Sequence, residues 1–302
     1  MKKLSTIMTI LGILCVAQIT TAQDAPPLPF HAAEGCGGIF ATHSAYLVNS
    51  GTEDNPLGLP SFGGIYVHFG HGRSLTSLTV TETLFGRLEL GYGMMYFDMG
   101  DLPDDIEDAM GFELGDDAVT MHNYNARLML IKEGDFGQKW MPAITFGAHY
   151  KDNATVEDVD DDTSGTLTAI GIEENAGVDY TLYASKMITA LPVPMIVNVG
   201  ARSSDAAHIG LLGFTGERNI TVEGSICAFV MPKLIMALEY RQKQNEYTGA
   251  SPLIEEEEDW MSLCAGYIIN SHMTAAVGYA RFGDVLNHEA NDSFGIALKY
   301  EL

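Results

Sequence analysis

The chain has 302 residues and carries 40 Asp and Glu against 16 Lys and Arg, a formal net charge of −24 at pH 7. Such an acid balance argues against nucleic acid, whose phosphates are met by Lys and Arg, and against docking on anionic head groups through a basic patch. Four cysteines without CxxC or zinc-finger spacing argue against a disulfide framework or a zinc module.

In chain order, Met1-Lys2-Lys3 followed by the apolar run Leu4 to Ala17, with small residues at Thr20 and Ala22, predicts a cleaved signal peptide over residues 1–22. The run is shorter than the roughly 20 residues of a membrane helix, and Cys15 lacks the small neighbour that lipoprotein processing needs. Removal of the signal leaves 40 acids against 14 bases, and Cys36, Cys227 and Cys264. Residues 23–61, with "GGIFATHSAYL", are assigned to a periplasmic or lumenal segment. The later apolar stretch "MITALPVPMIVNVGA" is broken by Pro192 and Pro194, so a membrane would be crossed by strands.

Residues 62–302 are dominated by period two. Leu88, Leu90, Tyr92, Met94 and Tyr96 oppose Glu89, Gly91 and Gly93. Ile144, Phe146, Ala148 and Tyr150 oppose Thr145, Gly147 and His149, and Val197, Val199 and Ala201 oppose Asn198, Gly200 and Arg202. Ile220, Val222, Ile226, Ala228 and Val230 oppose Thr221, Glu223 and Ser225, and Leu234, Met236, Leu238 and Tyr240 oppose Ala237, Glu239 and Arg241. The runs reach about ten residues, the length of a tilted membrane strand, against five or six in a soluble sandwich. Tyr96, Phe97, Tyr150, Tyr240, Trp260 and Tyr300 lie near strand ends, as interface girdles do. Strands placed at 62–70, 76–83, 87–97, 120–131, 142–151, 177–188, 195–202, 219–230, 233–243, 260–269, 273–282 and 292–302 are joined by alternating short and long connections. The pattern predicts an all-β fold, a transmembrane antiparallel up-and-down barrel of twelve strands, with fourteen as the rival count. Short turns would face the periplasm and long loops the exterior of a Gram-negative cell.

The stretches "LFGRLELGYGMMYFDMG", "WMPAITFGAHYK", "GVDYTLYASKM", "GLLGFTGERN", "LIMALEYRQK" and "EDWMSLCAGYIINSHMTAAVGYARFGDV" resemble the domain of unknown function 3034 family of outer-membrane proteins. The resemblance runs from about residue 36 to the end. It implies the barrel and no activity, so no catalytic residue transfers.

The long connections hold the acids: nine in 98–119, eight in 152–176 and six in 244–259, none with a Lys or Arg. They read as solvated loops, or as a negative rim that concentrates cations. "DDDTSG" places Asp160, Asp162 and Ser164 at positions one, three and five of a calcium-type loop, but Gly171 stands where the closing Glu belongs, so at most weak Ca2+ binding is expected and no other cofactor. Glu89, Arg127, His149, Arg202, Glu223, Glu239, Arg241 and Lys299 are the candidate lumen residues, either filling a narrow barrel with ion pairs or lining a path for a solute. No G-x-S-x-G, H-E-x-x-H or phosphate-binding glycine loop is present, so no enzyme is expected. Cys227 and Cys264, two strands apart, are predicted to be free thiols. Phe294, Ile296, Leu298, Tyr300 and Leu302 form a lipid-facing row in the closing strand and a candidate signal for the barrel-assembly machinery.

The function expected is a channel or binding protein for small hydrophilic, cationic or neutral solutes, in contact with outer-membrane lipid and lipopolysaccharide. The alternatives are a non-conducting structural or surface-interaction barrel with cation-binding loops, and the barrel of a polymer export system.

Overall fold

A strand in lipid must find every partner for its backbone N–H and C=O groups in another strand, so a row of membrane strands is stable only when it closes. A computed structural model describes residues 29–50 and 57–302; the expected signal peptide over 1–22 lies outside them. Twelve strands form one closed antiparallel barrel. They are β1 (Ser61–Gly70), β2 (Arg73–Leu84), β3 (Leu88–Asp98), β4 (Ala118–Ile131), β5 (Ala143–Asp152) and β6 (Ala176–Ile188). The second half is β7 (Met195–Ala207), β8 (Gly213–Met231), β9 (Leu234–Arg241), β10 (Trp260–Ile268), β11 (Met273–Arg281) and β12 (Ser293–Glu301). Each pairs with the next in sequence, and β12 closes on β1 through Phe294↔His68, Leu298↔Gly64 and Glu301↔Ser61. The expected twelve-strand barrel is the observed one.

Outward positions form an apolar belt that includes Leu90, Tyr124, Leu238, Val277, Phe294 and Ile296, all exposed. Because the pleat has period two, their neighbours point inward. Tyr96, Tyr150 and Tyr300 face outward as girdle residues should. Phe97 does not: one residue out of phase with Tyr96, it is 3% exposed inside the barrel. Trp260, also expected in the girdle, turns inward over the cations of Arg241 and Lys243.

The barrel has a turn end and a loop end. The turn end carries the β2–β3, β4–β5, β6–β7, β8–β9 and β10–β11 connections, and the loop end carries the three acid-rich connections and residues 282–292. Two loop readings change. The segment 203–218, expected as one long loop, is strand on both sides of a single 3-10 turn (His208–Gly210), with β7 reaching Ala207 and β8 starting at Gly213. The acid-rich connections also contain helices: α1 (Leu102–Met110), α2 (Thr155–Asp162) and the short α3 (Thr166–Ala169). In α1 the i, i+4 pair Leu102 and Ile106 is buried, Pro103 and two acids occupy the first turn, and Gly111 ends the helix in the left-handed region with φ 75. Cys36, Cys227 and Cys264 are free and buried.

Deleting residues 299–302 removes the Lys299↔Gly63, Tyr300↔Phe62 and Glu301↔Ser61 pairs from the seam. The truncation is expected to lose most of the barrel fraction that migrates fast unboiled and slowly after boiling; an unchanged gel shift would show that the seam closes without them.

Candidate functional site

The lumen is filled from the turn end by residues 29–48. Their path is set by small pairing elements, Phe30–His31 against Gly37–Gly38, and by side chains of the wall. The segment enters beside Lys299, whose Nζ donates to Pro29 O at 2.6 Å, and leaves through Gly58, whose N–H donates to Thr83 O. Where it meets β3 the backbones touch: Gly35 has φ 85, and a Cβ added at Gly91 would stand 2.1 Å from Gly35 O. Gly91 and Gly93 are therefore the shallow floor on which the plug lies.

Plug and wall exchange charges in both directions. From the plug, Glu34 accepts from Lys151 Nζ at 2.6 Å, Arg202 Nη2 at 2.8 Å and Arg241 Nη1 at 3.2 Å, and meets His43 Nε2 at 2.8 Å. From the wall, Glu239 accepts the N–H groups of Phe40, Ala41 and Thr42 at 2.9–3.2 Å and the Thr42 hydroxyl. Glu89 accepts from Gly37 N and Val48 N, and from Arg127 Nη1 at 2.6 Å. Around Glu34, Asp179 pairs with Lys151 and Arg202, and Glu223 with Arg202 and Arg241. The cluster holds the acids Glu34, Asp179 and Glu223 against the bases Lys151, Arg202 and Arg241, so it is neutral, as a buried network must be to offset desolvation.

The eight residues read from the sequence as lumen candidates are all buried inside the barrel. Seven of them, Glu89, Arg127, Arg202, Glu223, Glu239, Arg241 and Lys299, hold the plug or the network around it. His149 bridges Asn125 and Thr181 within the wall. Glu34, Lys151 and Asp179 were missed. Lys151 and Asp179 lie in the inward phase of β5 and β6, a signal that was present; Glu34 lies in no periodic segment. Cys36, His43 and His149 also come together, but His149 bonds through both nitrogens and His43 Nε2 faces Glu34.

Asp160 and Asp162 fall on α2, with Ser164 just beyond it in the left-handed region. Asp160 accepts from Thr168 N and Oγ1 at 3.1 and 2.7 Å, and Asp162 from Gly115 N at 2.8 Å. The segment is a helix whose carboxylates are tied to its neighbours Thr168 and Gly115.

Beyond the plug the lumen changes character. Val67, Phe69, Leu75 and Phe97 point inward from the wall, and Leu102 and Ile106 of α1 close over them with Leu253, Ile254, Val285 and Leu286. Between this roof and the plug lies a cavity of about 120 Å³ with nearly apolar walls. Glu34, Arg241 and Ser262 touch its floor, and Trp260 stands at its side. The Trp260 Nε1 donor is buried without a hydrogen-bond partner among the described residues.

The roof is anchored by Glu257, the one buried acid of the "EEEE" run. Its Oε1 accepts from His208 N at 2.7 Å and its Oε2 pairs with Lys243 Nζ at 2.7 Å. Burial alone would raise the Glu257 carboxyl, but Lys243 and His208 hold it below the ordinary range. Burial outweighs the pull of Glu257 on His208 and pushes that imidazole down.

Glu34→Gln leaves the cations of Lys151, Arg202 and Arg241 short of charge and is expected to cost about 3–5 kcal/mol, read as a lower unfolding midpoint in denaturant. Acid should loosen the roof in two stages. A histidine kept neutral by burial contributes stability that is lost as pH falls below the ordinary value of about 6.5, and a carboxyl held low contributes stability that is lost below about 4.3. Hydrogen exchange in residues 242–259, corrected for intrinsic rates, should therefore rise from pH 7 to 5 and again below 4. His208→Gln should flatten the first stage and Glu257→Gln the second; pH-independent protection would refute the anchor.

Among solved structures the chain is similar to the KdgM porin, with 9% identity over 80% of this chain and 99% of that one and a TM-score of 0.46. It is similar to the NanC porin, with 12% identity over 80% and 100% and a TM-score of 0.46. It is also similar to outer membrane phospholipase A from Escherichia coli, with 9% identity over 84% and 98% and a TM-score of 0.42. No curated protein matches it in sequence. The family model described as Protein of unknown function (DUF3034) matches residues 42–299, and the chain belongs to that family.

Proposed function

We propose that this protein is a plugged barrel of the Gram-negative outer membrane that binds a small, largely apolar molecule in the chamber between its plug and its outer loops. The chamber carries the reading. An apolar cavity stays dry, and one of about 150 Å³ accommodates benzene, so about 120 Å³ suits a group of at most about six carbons. Short turns facing the periplasm and longer connections outside orient the chamber toward the exterior. Lipid and lipopolysaccharide would surround the belt, and Phe294 to Leu302 would serve the assembly machinery.

A pore for hydrophilic cations or neutral solutes needs a continuous wet path. Residues 29–48 occupy that path in this conformation, and the half beyond them is apolar, so conduction would require the plug to leave. A purely structural barrel or an export barrel gives the chamber no role.

The test uses Trp260 fluorescence in a Trp140→Phe background, since the chain has two tryptophans, in nanodiscs titrated with straight-chain alcohols of four to fourteen carbons. Affinity is expected to rise roughly fourfold per methylene, from about 0.8 kcal/mol each, and to stop rising once the chamber is full. Ala280→Phe, which fills the chamber from β11, should abolish the response. A response that keeps growing with chain length, or survives Ala280→Phe, would be partition into lipid and would sink the reading.

A further inference from the structure

At the loop end, outside the ion network and the chamber, three segments bring His71, Asp101 and His288 together. His71 is in the tight turn between β1 and β2, Asp101 immediately precedes α1, and His288 is in the connection between β11 and β12. One ligand atom from each lies within 4.8 Å of the others. The two imidazoles stack with centroids 4.0 Å apart, and His288 Nε2 stands 3.2 Å from Asp101 Oδ2. Asp101 precedes α1 but makes no side-chain cap bond to the helix, so its carboxylate is turned to the histidines. Its other oxygen accepts from Asn287 Nδ2 at 3.4 Å, and that amide also donates to Asp105 at 2.5 Å. This is an outer partner that orients a ligand.

We propose that His71, Asp101 and His288 form a site for a divalent transition cation of the zinc class, and that the bound ion clamps the roof of the chamber shut. Two imidazoles and one carboxylate on an open face are a donor set for borderline cations, with room for water in the remaining position, whereas calcium takes six to eight oxygens. Bond lengths of about 2.0–2.2 Å place tetrahedral ligand atoms roughly 3.4 Å apart. The ion would thus draw together a cluster already within 4.8 Å, and the exposed turn carrying His71 can follow. Arg73, beside the cluster, directs its guanidinium to the carbonyls of Val285, His288 and Glu289. Asp105, Asp284 and Glu289 keep the surroundings negative.

The clamp follows from what the three segments carry. Asp101 leads into Leu102 and Ile106, His288 follows Val285 and Leu286, and His71 joins Phe69 to Leu75 across the turn; all six apolar side chains line the chamber. An ion shared by the three segments ties roof to wall. The clamp rests on the chamber reading, but the site does not.

The folded wild-type barrel in nanodiscs is titrated with Zn2+ by calorimetry, with and without millimolar Ca2+. One saturable Zn2+ per chain is expected, unaffected by Ca2+ and weakened at least about tenfold by His71→Ala and by His288→Ala. Zn2+ should also protect both histidines of the wild type from carbethoxylation, read by mass spectrometry, which needs no variant to fold. Absent binding, displacement by Ca2+, affinity indifferent to both variants, or unprotected histidines would overturn the site. Release of a bound alcohol, followed at Trp260, should slow at least about fivefold with Zn2+ in the wild type and not in His71→Ala. Zinc binding with unchanged release would overturn the clamp, whereas a chamber that takes no alcohol would fail the proposed function and leave the zinc result standing.

Discussion

Glu34 carries one negative charge into the middle of a barrel whose wall presents Lys151, Arg202 and Arg241 at the same level. Three cations facing each other across a narrow lumen repel, and Asp179 and Glu223 supply only two of the charges that balance them. The third must come from outside the sheet, and the plug brings it. The wall returns the contact through Glu89 and Glu239, which receive the plug's backbone N–H groups, so the plug's own polar groups also avoid burial without a partner. Docking is reciprocal, and each side leaves the other with uncompensated charge if it departs.

That contact divides the lumen. On the turn side the space is filled by plug backbone and small polar wall residues such as Thr79, Thr81 and Thr145. On the loop side the wall changes to Val67, Phe69, Leu75 and Phe97. Apolar surface facing outside water would be costly, and the acid-rich connections cover it. Their helices are amphipathic: in α1 the acids Asp104, Asp105, Glu107 and Asp108 stay off the face that buries Leu102 and Ile106. The same segments thus carry solubility on one side and a hydrophobic roof on the other, and the chamber is what they leave unfilled.

The barrel was legible in the sequence. Strand number, the inward phase of Glu89, Arg202, Glu223 and Arg241, and the outward row from Phe294 to Tyr300 follow from period two. Phe97 and Trp260 were misplaced because nearness to a strand end was weighed above phase, and phase governs which side of a sheet a residue faces. The helices of the loops were also readable, since Pro103, the acids of the first turn, the spacing of Leu102 and Ile106, and Gly111 mark α1. The density of charge in those loops concealed it. The apolar half of the lumen was harder to see, because phase gives the side a residue faces but not whether that side is wet or dry.

By itself the sequence determined the strands and their faces, because a pleat is local: each residue's side follows from its neighbour's. What fills the barrel was decided only by the tertiary structure. Glu34 meets Arg202 across 168 residues of chain, and Asp101 meets His288 across 187. Contacts at such separations leave no periodicity to read, because they exist only once closure of the sheet has brought distant parts of the chain together.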